Sequence, residues 1–220
     1  MGAYIEIVKQ NWVAAWHNKI FREGSIFGVS ALIIMVIFTY YFFGYIENRT
    51  GGVVMNDWVL RMLPAEDVSI PIVVFELSAI ILFLVRSISN PTMAITFLIA
   101  YLFVLISRNI TIDITGLRAP IGLIALKDPI AGIIYSSKFI DRDLFYSGHV
   151  SLLSLFYLCS FKKTDKSYLL FALISVGILL LIQHVHYTID VVCAPFFAYS
   201  CYWLSKKTLH FSPKMATRNM

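Results

Sequence analysis

Six stretches of this chain run to about the length of a bilayer's hydrocarbon core with almost no charge, and that limits the fold more than any other feature. Residues 25–46, 87–107 and 167–183 carry no charged side chain. Residues 70–85 carry only Glu76, residues 144–161 only His149, and residues 187–205 only Asp190, with Pro195 inside the last. A helix needs about 20 apolar residues to cross the core. Charged residues make up 14% of the chain, against about a quarter in a soluble domain. The expectation is an all-α membrane protein of six transmembrane helices, with residues 25–205 as one six-span membrane domain. Residues 206–220 form a basic cytoplasmic tail.

Residues 1–24 set Trp12, Trp16, Ile20 and Phe21 against Lys9 and Lys19. That pattern predicts an amphipathic helix lying in the interface; a frayed cytoplasmic lead-in is the plainer reading. Glu6, Lys9, Lys19, Arg22 and Glu23 argue against a cleavable signal peptide there. The long connection 109–143 alternates polar positions with apolar runs at 119–126 and 131–135. This predicts an outer loop of short helices between spans three and four. Asn48 and Asn109 each begin a formal glycosylation tripeptide on that outer side.

With the amino terminus cytoplasmic, the inner segments hold 11 of the 18 cationic residues. Lysine and arginine collect on the cytoplasmic side, so both termini are expected there. The net charge of +5 suits an anionic membrane better than nucleic acid, because the cations flank the spans. Cys159, Cys193 and Cys201 all fall within apolar stretches, which reads as packed free thiols.

Two histidines open like-directed spans, since one span lies between them. His149 and His186 therefore belong at one face of the membrane, the extracytoplasmic one. Asp190 follows His186 at a spacing of four, which shares a helix face. A carboxylate on one ring nitrogen fixes the tautomer and leaves the other nitrogen basic enough to attack phosphorus. An ionisable residue in a span is costly and functional by default, although a polar pair joining helices is the plainer alternative. Ser147 is a favoured helix cap, and a helix amino terminus binds phosphate readily. Gly148 leaves room for a phosphate oxygen, and His149 could protonate a departing oxygen. Asp143 could orient His149 or a substrate hydroxyl, and Arg118 could neutralise phosphate, or each could be a solvated loop charge. Glu76 either lines the headgroup cavity or snorkels, and is left outside the core site. His184, two residues from His186, points to another face and reads as a headgroup-level hydrogen-bonder.

Asp143-x-x-x-Ser147-Gly148-His149 followed by His186-Tyr187-Thr188-Ile189-Asp190 resembles the sphingomyelin synthase-like branch of the type-2 phosphatidic acid phosphatase superfamily. The resemblance covers roughly residues 60–205. It implies that His186 forms a phosphohistidine, that Asp190 is its partner, and that His149 protonates the leaving group. It also implies an acid role for Asp143, a further acidic site residue at Asp128, and substrate contacts around Ser147, Gly148, Arg118 and Tyr187. Phospholipids and lipid alcohols are the implied substrates, with the bilayer as the other partner. No cofactor or metal is implied, since the two histidines cover nucleophile and acid. Departures are Arg142 for the motif's glycine and Val150 for its threonine. Leu179 and Leu180 stand where the superfamily's phosphatases carry Ser-Arg, and Arg118-Ala119-Pro120 only echoes their Lys-x6-Arg-Pro. The missing arginine argues for the synthase-like branch over a phosphatase, and leaves open what balances the phosphate charge. Two further readings stand beside this one. The first is a zinc or proton carrier built on His184, His186, His149 and Asp190, for which the spacing of the first two is poor. The second is a non-catalytic helical scaffold.

Overall fold

The computed structural model describes residues 2–127 and 140–209. Eight helices occur among the described residues: α1 Gly2–His17, α2 Lys19–Glu47, α3 Trp58–Met62, α4 Ser69–Ser89, α5 Pro91–Thr115, α6 Gly148–Cys159, α7 Lys163–Ile182 and α8 Thr188–Leu209. Four of them (α2, α4, α5 and α7) are long and apolar enough to cross a membrane. This is the make-up of a multi-pass membrane protein. The fourth predicted span forms only the 12-residue α6, about 18 Å long at 1.5 Å per residue. The sixth forms the 22-residue α8, with Asp190 in its first turn and Pro195 inside it.

Helix α5 is the hub, packing against α2, α4, α6 and α8. Asn90 starts it by accepting from the Met93 N–H at 3.1 Å, with Pro91 in the first turn where its missing N–H costs nothing. The main core lies between α4, α5, α6, α7 and α8, around Ile72, Phe83, Val104, Leu153, Phe156, Leu169, Leu180 and Ala194. Phe83 and Phe156 stack there with ring centroids 4.4 Å apart. On α2, by contrast, Ile26, Phe27, Ile33, Ile34 and Tyr41 are exposed, a surface that suits lipid rather than water.

Three boundaries differ from the sequence expectation. Residues 19–24 are the first turns of α2, not the end of the interfacial segment, because the Asn18 side chain accepts from Ile20 N–H and Phe21 N–H and starts a new helix. The third apolar stretch does not stop at Ser107. Helix α5 runs on to Thr115 and ends at Gly116 in the left-handed region, φ 54°, whose N–H bonds the Ile112 carbonyl at 3.2 Å. Arg108 and Asn109 are therefore buried helix residues. Asn109 Nδ2 donates to Thr39 Oγ1 at 3.0 Å, so it is no exposed sequon.

The third difference is the outer loop. Residues 119–126 form no helix: Leu123 N–H closes a turn on the Pro120 carbonyl and Ile124 N–H donates to Gln183. The run at 131–135 and Asp128 lie outside the described residues. Loop 48–57 pairs with the start of this connection, Val53 N–H bonding the Gly116 carbonyl and Arg118 N–H the Val53 carbonyl. These loops sit at the end of the bundle where α5 finishes and α6 and α8 begin.

Candidate active site

His186 lies just before the first turn of α8, in the turn that leaves α7, rather than on the helix face expected. Its Nδ1 nonetheless lies 3.3 Å from Asp190 Oδ2, because the turn folds the ring over the carboxylate. A carboxylate accepts only, so Nδ1 is the donor, and in the neutral ring that leaves the lone pair on Nε2. The same Asp190 Oδ2 accepts from Tyr187 N–H at 3.1 Å. This is the acid half of a capping box, an acid three positions into a helix bonding back to the residue before it. Asp190 is fully buried. Its Oδ1 has no hydrogen-bond partner among the described residues.

Ser147 caps α6, its Oγ accepting from Val150 N–H at 3.4 Å. Its own N–H donates to the Asp190 carbonyl at 3.1 Å, which ties the start of α6 to the start of α8. His149 follows in the first turn. Its ring centroid stands 6.4 Å from that of His186, with the planes 67° apart. The two imidazoles therefore share one end of the bundle.

Two charged residues stand against the site: Glu76, which the sequence reading left outside it, and Arg108, which that reading did not weigh. Glu76 of α4 is buried, and its Oε2 lies 3.8 Å from His149 Nε2, within ion-pair range. Its signal in the sequence was a lone acid in a span. Arg108 of α5 is also buried. Its Nε donates to the Tyr146 carbonyl at 2.9 Å, and Nη2 pairs with Asp143 Oδ1. A Cβ on Gly148 would come within 2.8 Å of Arg108 Nη1. The space that Gly148 leaves thus admits the guanidinium. Arg108 brings positive charge to the amino terminus of α6.

The remaining sequence candidates are placed as follows. Asp143 joins the site through Arg108. Tyr187 is buried beside Leu60 and Leu144, its hydroxyl donating to the Arg118 carbonyl at 2.9 Å and accepting from Met55 N–H at 3.1 Å. Arg118 is exposed and is held through that carbonyl. His184 turns away, with Nδ1 2.9 Å from the Ile121 carbonyl and Nε2 3.2 Å from the Leu63 carbonyl. Among the described residues, no group of three or more His, Cys, Asp or Glu is arranged to hold a metal ion.

Comparison with known families bears on this end of the chain. Residues 142–207 match the family model "PAP2 superfamily C-terminal". The matched stretch carries Asp143, Ser147, Gly148, His149, His186, Tyr187 and Asp190. It supports the type-2 phosphatidic acid phosphatase superfamily, though not one branch of it. The match covers under a third of the chain and leaves Glu76 and Arg108 outside. Neither a curated protein nor a solved structure matches the chain.

Proposed function

We propose that this chain is an integral membrane lipid phosphotransferase or phosphoesterase that works through a phosphohistidine, and that it is sphingomyelin synthase-like. In this reading His186 Nε2 attacks the phosphorus of a phospholipid. The bond between phosphorus and the lipid oxygen breaks, and that oxygen takes a proton from His149. The headgroup phosphate is now on His186. An acceptor hydroxyl, of ceramide, of diacylglycerol or of water, then attacks phosphorus and gives its proton to His149. The phosphorus–nitrogen bond breaks and His186 returns to its resting form.

The observation that carries the reading is the pair of imidazoles, each with a carboxylate at its edge. In-line transfer needs the attacking nitrogen within about 3.5 Å of phosphorus and the acid within about 3 Å of the leaving oxygen. Nucleophile and acid then stand roughly 7 Å apart, a span that rings 6.4 Å apart between centroids can bridge. Asp190 would stabilise the positive charge that builds on His186, and Glu76 the imidazolium form of His149. Arg108 and the start of α6 supply positive potential for the phosphate oxygens.

Six crossings with both termini cytoplasmic complete the reading, with Asp128 and Tyr187 as further contacts to substrate or its loops. Lys9, Lys19, Arg22, Arg86, Lys162, Lys163, Lys166, Lys206 and Lys207 all fall on segments at the end away from the histidines, which favours an extracytoplasmic site. The test is turnover of headgroup-labelled phospholipids in vesicles, with and without ceramide or diacylglycerol. His186→Ala should abolish release of label, and unchanged turnover by that variant contradicts the reading. A new labelled phospholipid identifies a transferase. Label released only as inorganic phosphate from phosphate-labelled phosphatidic acid, with no new phospholipid formed, identifies the second reading, a lipid phosphate phosphatase using water alone.

A further inference from the structure

The turn that carries His186 is held from outside by a residue far away in sequence. Asp57 ends the loop after α2, and its one carboxylate serves two helix starts. Oδ1 accepts from Val59 N–H at 3.0 Å and Leu60 N–H at 3.3 Å, which begins α3. Oδ2 accepts from Thr188 N–H at 2.6 Å, and Oδ1 from Thr188 Oγ1 at 3.0 Å. Thr188 is the first residue of α8, midway between His186 and Asp190. Its N–H is one that a helix cannot satisfy internally, and a carboxylate there also meets the positive end of the helix dipole.

Helix α3 has only five residues, too few to be stable by itself. The Asp57 carboxylate therefore ties the start of this short helix to the start of α8. The same loop reinforces the grip, since Met55 N–H donates to the Tyr187 hydroxyl at 3.1 Å. Loop 53–57 thus holds residues 187 and 188 at two adjacent points. Burial works against the ionised form of Asp57. The hydrogen bonds from Thr188, Leu60 and Val59 outweigh it and hold the carboxyl below its usual range.

We propose that Asp57 is a positioning residue for His186: by pinning Thr188 it fixes the turn that aims the imidazole between Asp190 and His149. The catalytic consequence rests on the reading of His186 as nucleophile, whereas the placement of the ring can be measured without turnover. The experiment uses the full chain in detergent micelles with ¹⁵N-labelled histidine, the His186 ring signals being identified by their loss in His186→Gln. Asp57→Ala and Thr188→Val should both displace the His186 ring signals, and Thr188→Ser, which keeps the hydroxyl, should restore them. In vesicles, Asp57→Ala should lower kcat about 10- to 100-fold, the cost of misplacing a reacting group by roughly 1 Å, with KM within about threefold.

Thr188→Val keeps the backbone N–H and should lose less. It decides the question if Asp57→Ala fails to fold. His186 signals unmoved in Thr188→Val and in any folded Asp57→Ala overturn the proposal, even if activity falls. Wild-type protein with no turnover of any phospholipid sinks the proposed function instead, and the ring signals then decide the role of Asp57 alone.

Discussion

Replacing Asp190 with asparagine changes one oxygen for an NH2 group, and the structure leaves that group no good place to go. If the amide oxygen keeps the Oδ2 position, it still accepts from Tyr187 N–H and His186 Nδ1. The NH2 then occupies the site of Oδ1, which is buried and has no partner among the described residues. An orphaned buried donor costs about 1–3 kcal/mol of stability. If the amide flips, its NH2 points at the Tyr187 N–H and at His186 Nδ1. That forces the His186 proton onto Nε2, the nitrogen that attacks phosphorus in the proposed reaction. The fixed-tautomer loss in a serine protease triad, about 10⁴-fold in kcat, sets the scale. Here we expect a fall of about 10³- to 10⁴-fold, or roughly 4–5.5 kcal/mol at 1.36 kcal/mol per factor of ten. The assay is steady-state release of labelled headgroup in vesicles, alongside thermal unfolding in detergent. Asp190→Asn turnover within about tenfold of wild type would refute the assignment of nucleophile and tautomer.

Arg108→Lys keeps the charge but cannot bond the Tyr146 carbonyl and Asp143 from one planar group as arginine does. It should lower turnover at least tenfold while the protein still folds; Arg108→Ala should also lose about 3 kcal/mol in thermal or denaturant unfolding, because it leaves the Asp143 carboxylate without its counter-charge. Activity of Arg108→Lys equal to wild type would remove the guanidinium from the site. At the rim, the hydrogen bond from the Lys127 ammonium and those from Ser69 push the Asp67 carboxyl down to about 2. A depressed carboxylate stabilises above its unfolded value near 3.8 and loses that contribution as pH falls toward 2. Hydrogen exchange at Lys127 N–H, which bonds Ser69 Oγ, should be faster in Asp67→Asn than in wild type at pH 5. The two proteins should match near pH 2, and equal rates at both would exclude the clasp.

Much of the candidate site's placement was legible because histidine and aspartate are so rare in these stretches. His149, His186 and Asp190 stood out against apolar backgrounds, and the single intervening span put both rings at one end. The pair at 186 and 190 formed for a different reason from the one its spacing implied, since a turn and a backbone cap do the work of a helix face. Arg108 was missed by ending a span at its first charge. The helical pattern actually continues past it, with Arg108 and Ile112 inward and Ile110 and Ile114 outward, until Gly116 stops it. Asp57 could not be read at all, because a cap shared between two helices appears only once a loop has folded across the bundle.

Acids and bases in the bundle come in pairs, which follows from the cost of a lone charge in a membrane. Asp190 meets His186, Glu76 meets His149, Asp143 meets Arg108, and at the other end Asp165 meets Arg86 at 2.7 Å. The first three pairs draw their members from α4, α5, α6, α8 and the segments leading into α6 and α8. A single acid within an apolar stretch therefore predicts a basic partner from another helix. Applied to Glu76 alone, that rule points to the end of the bundle where the only histidine of the fourth stretch stands. Both carboxylates behind the histidines then answer one requirement of the proposed reaction: each imidazole would carry a positive charge during transfer, and the acid beside it would stabilise that charge.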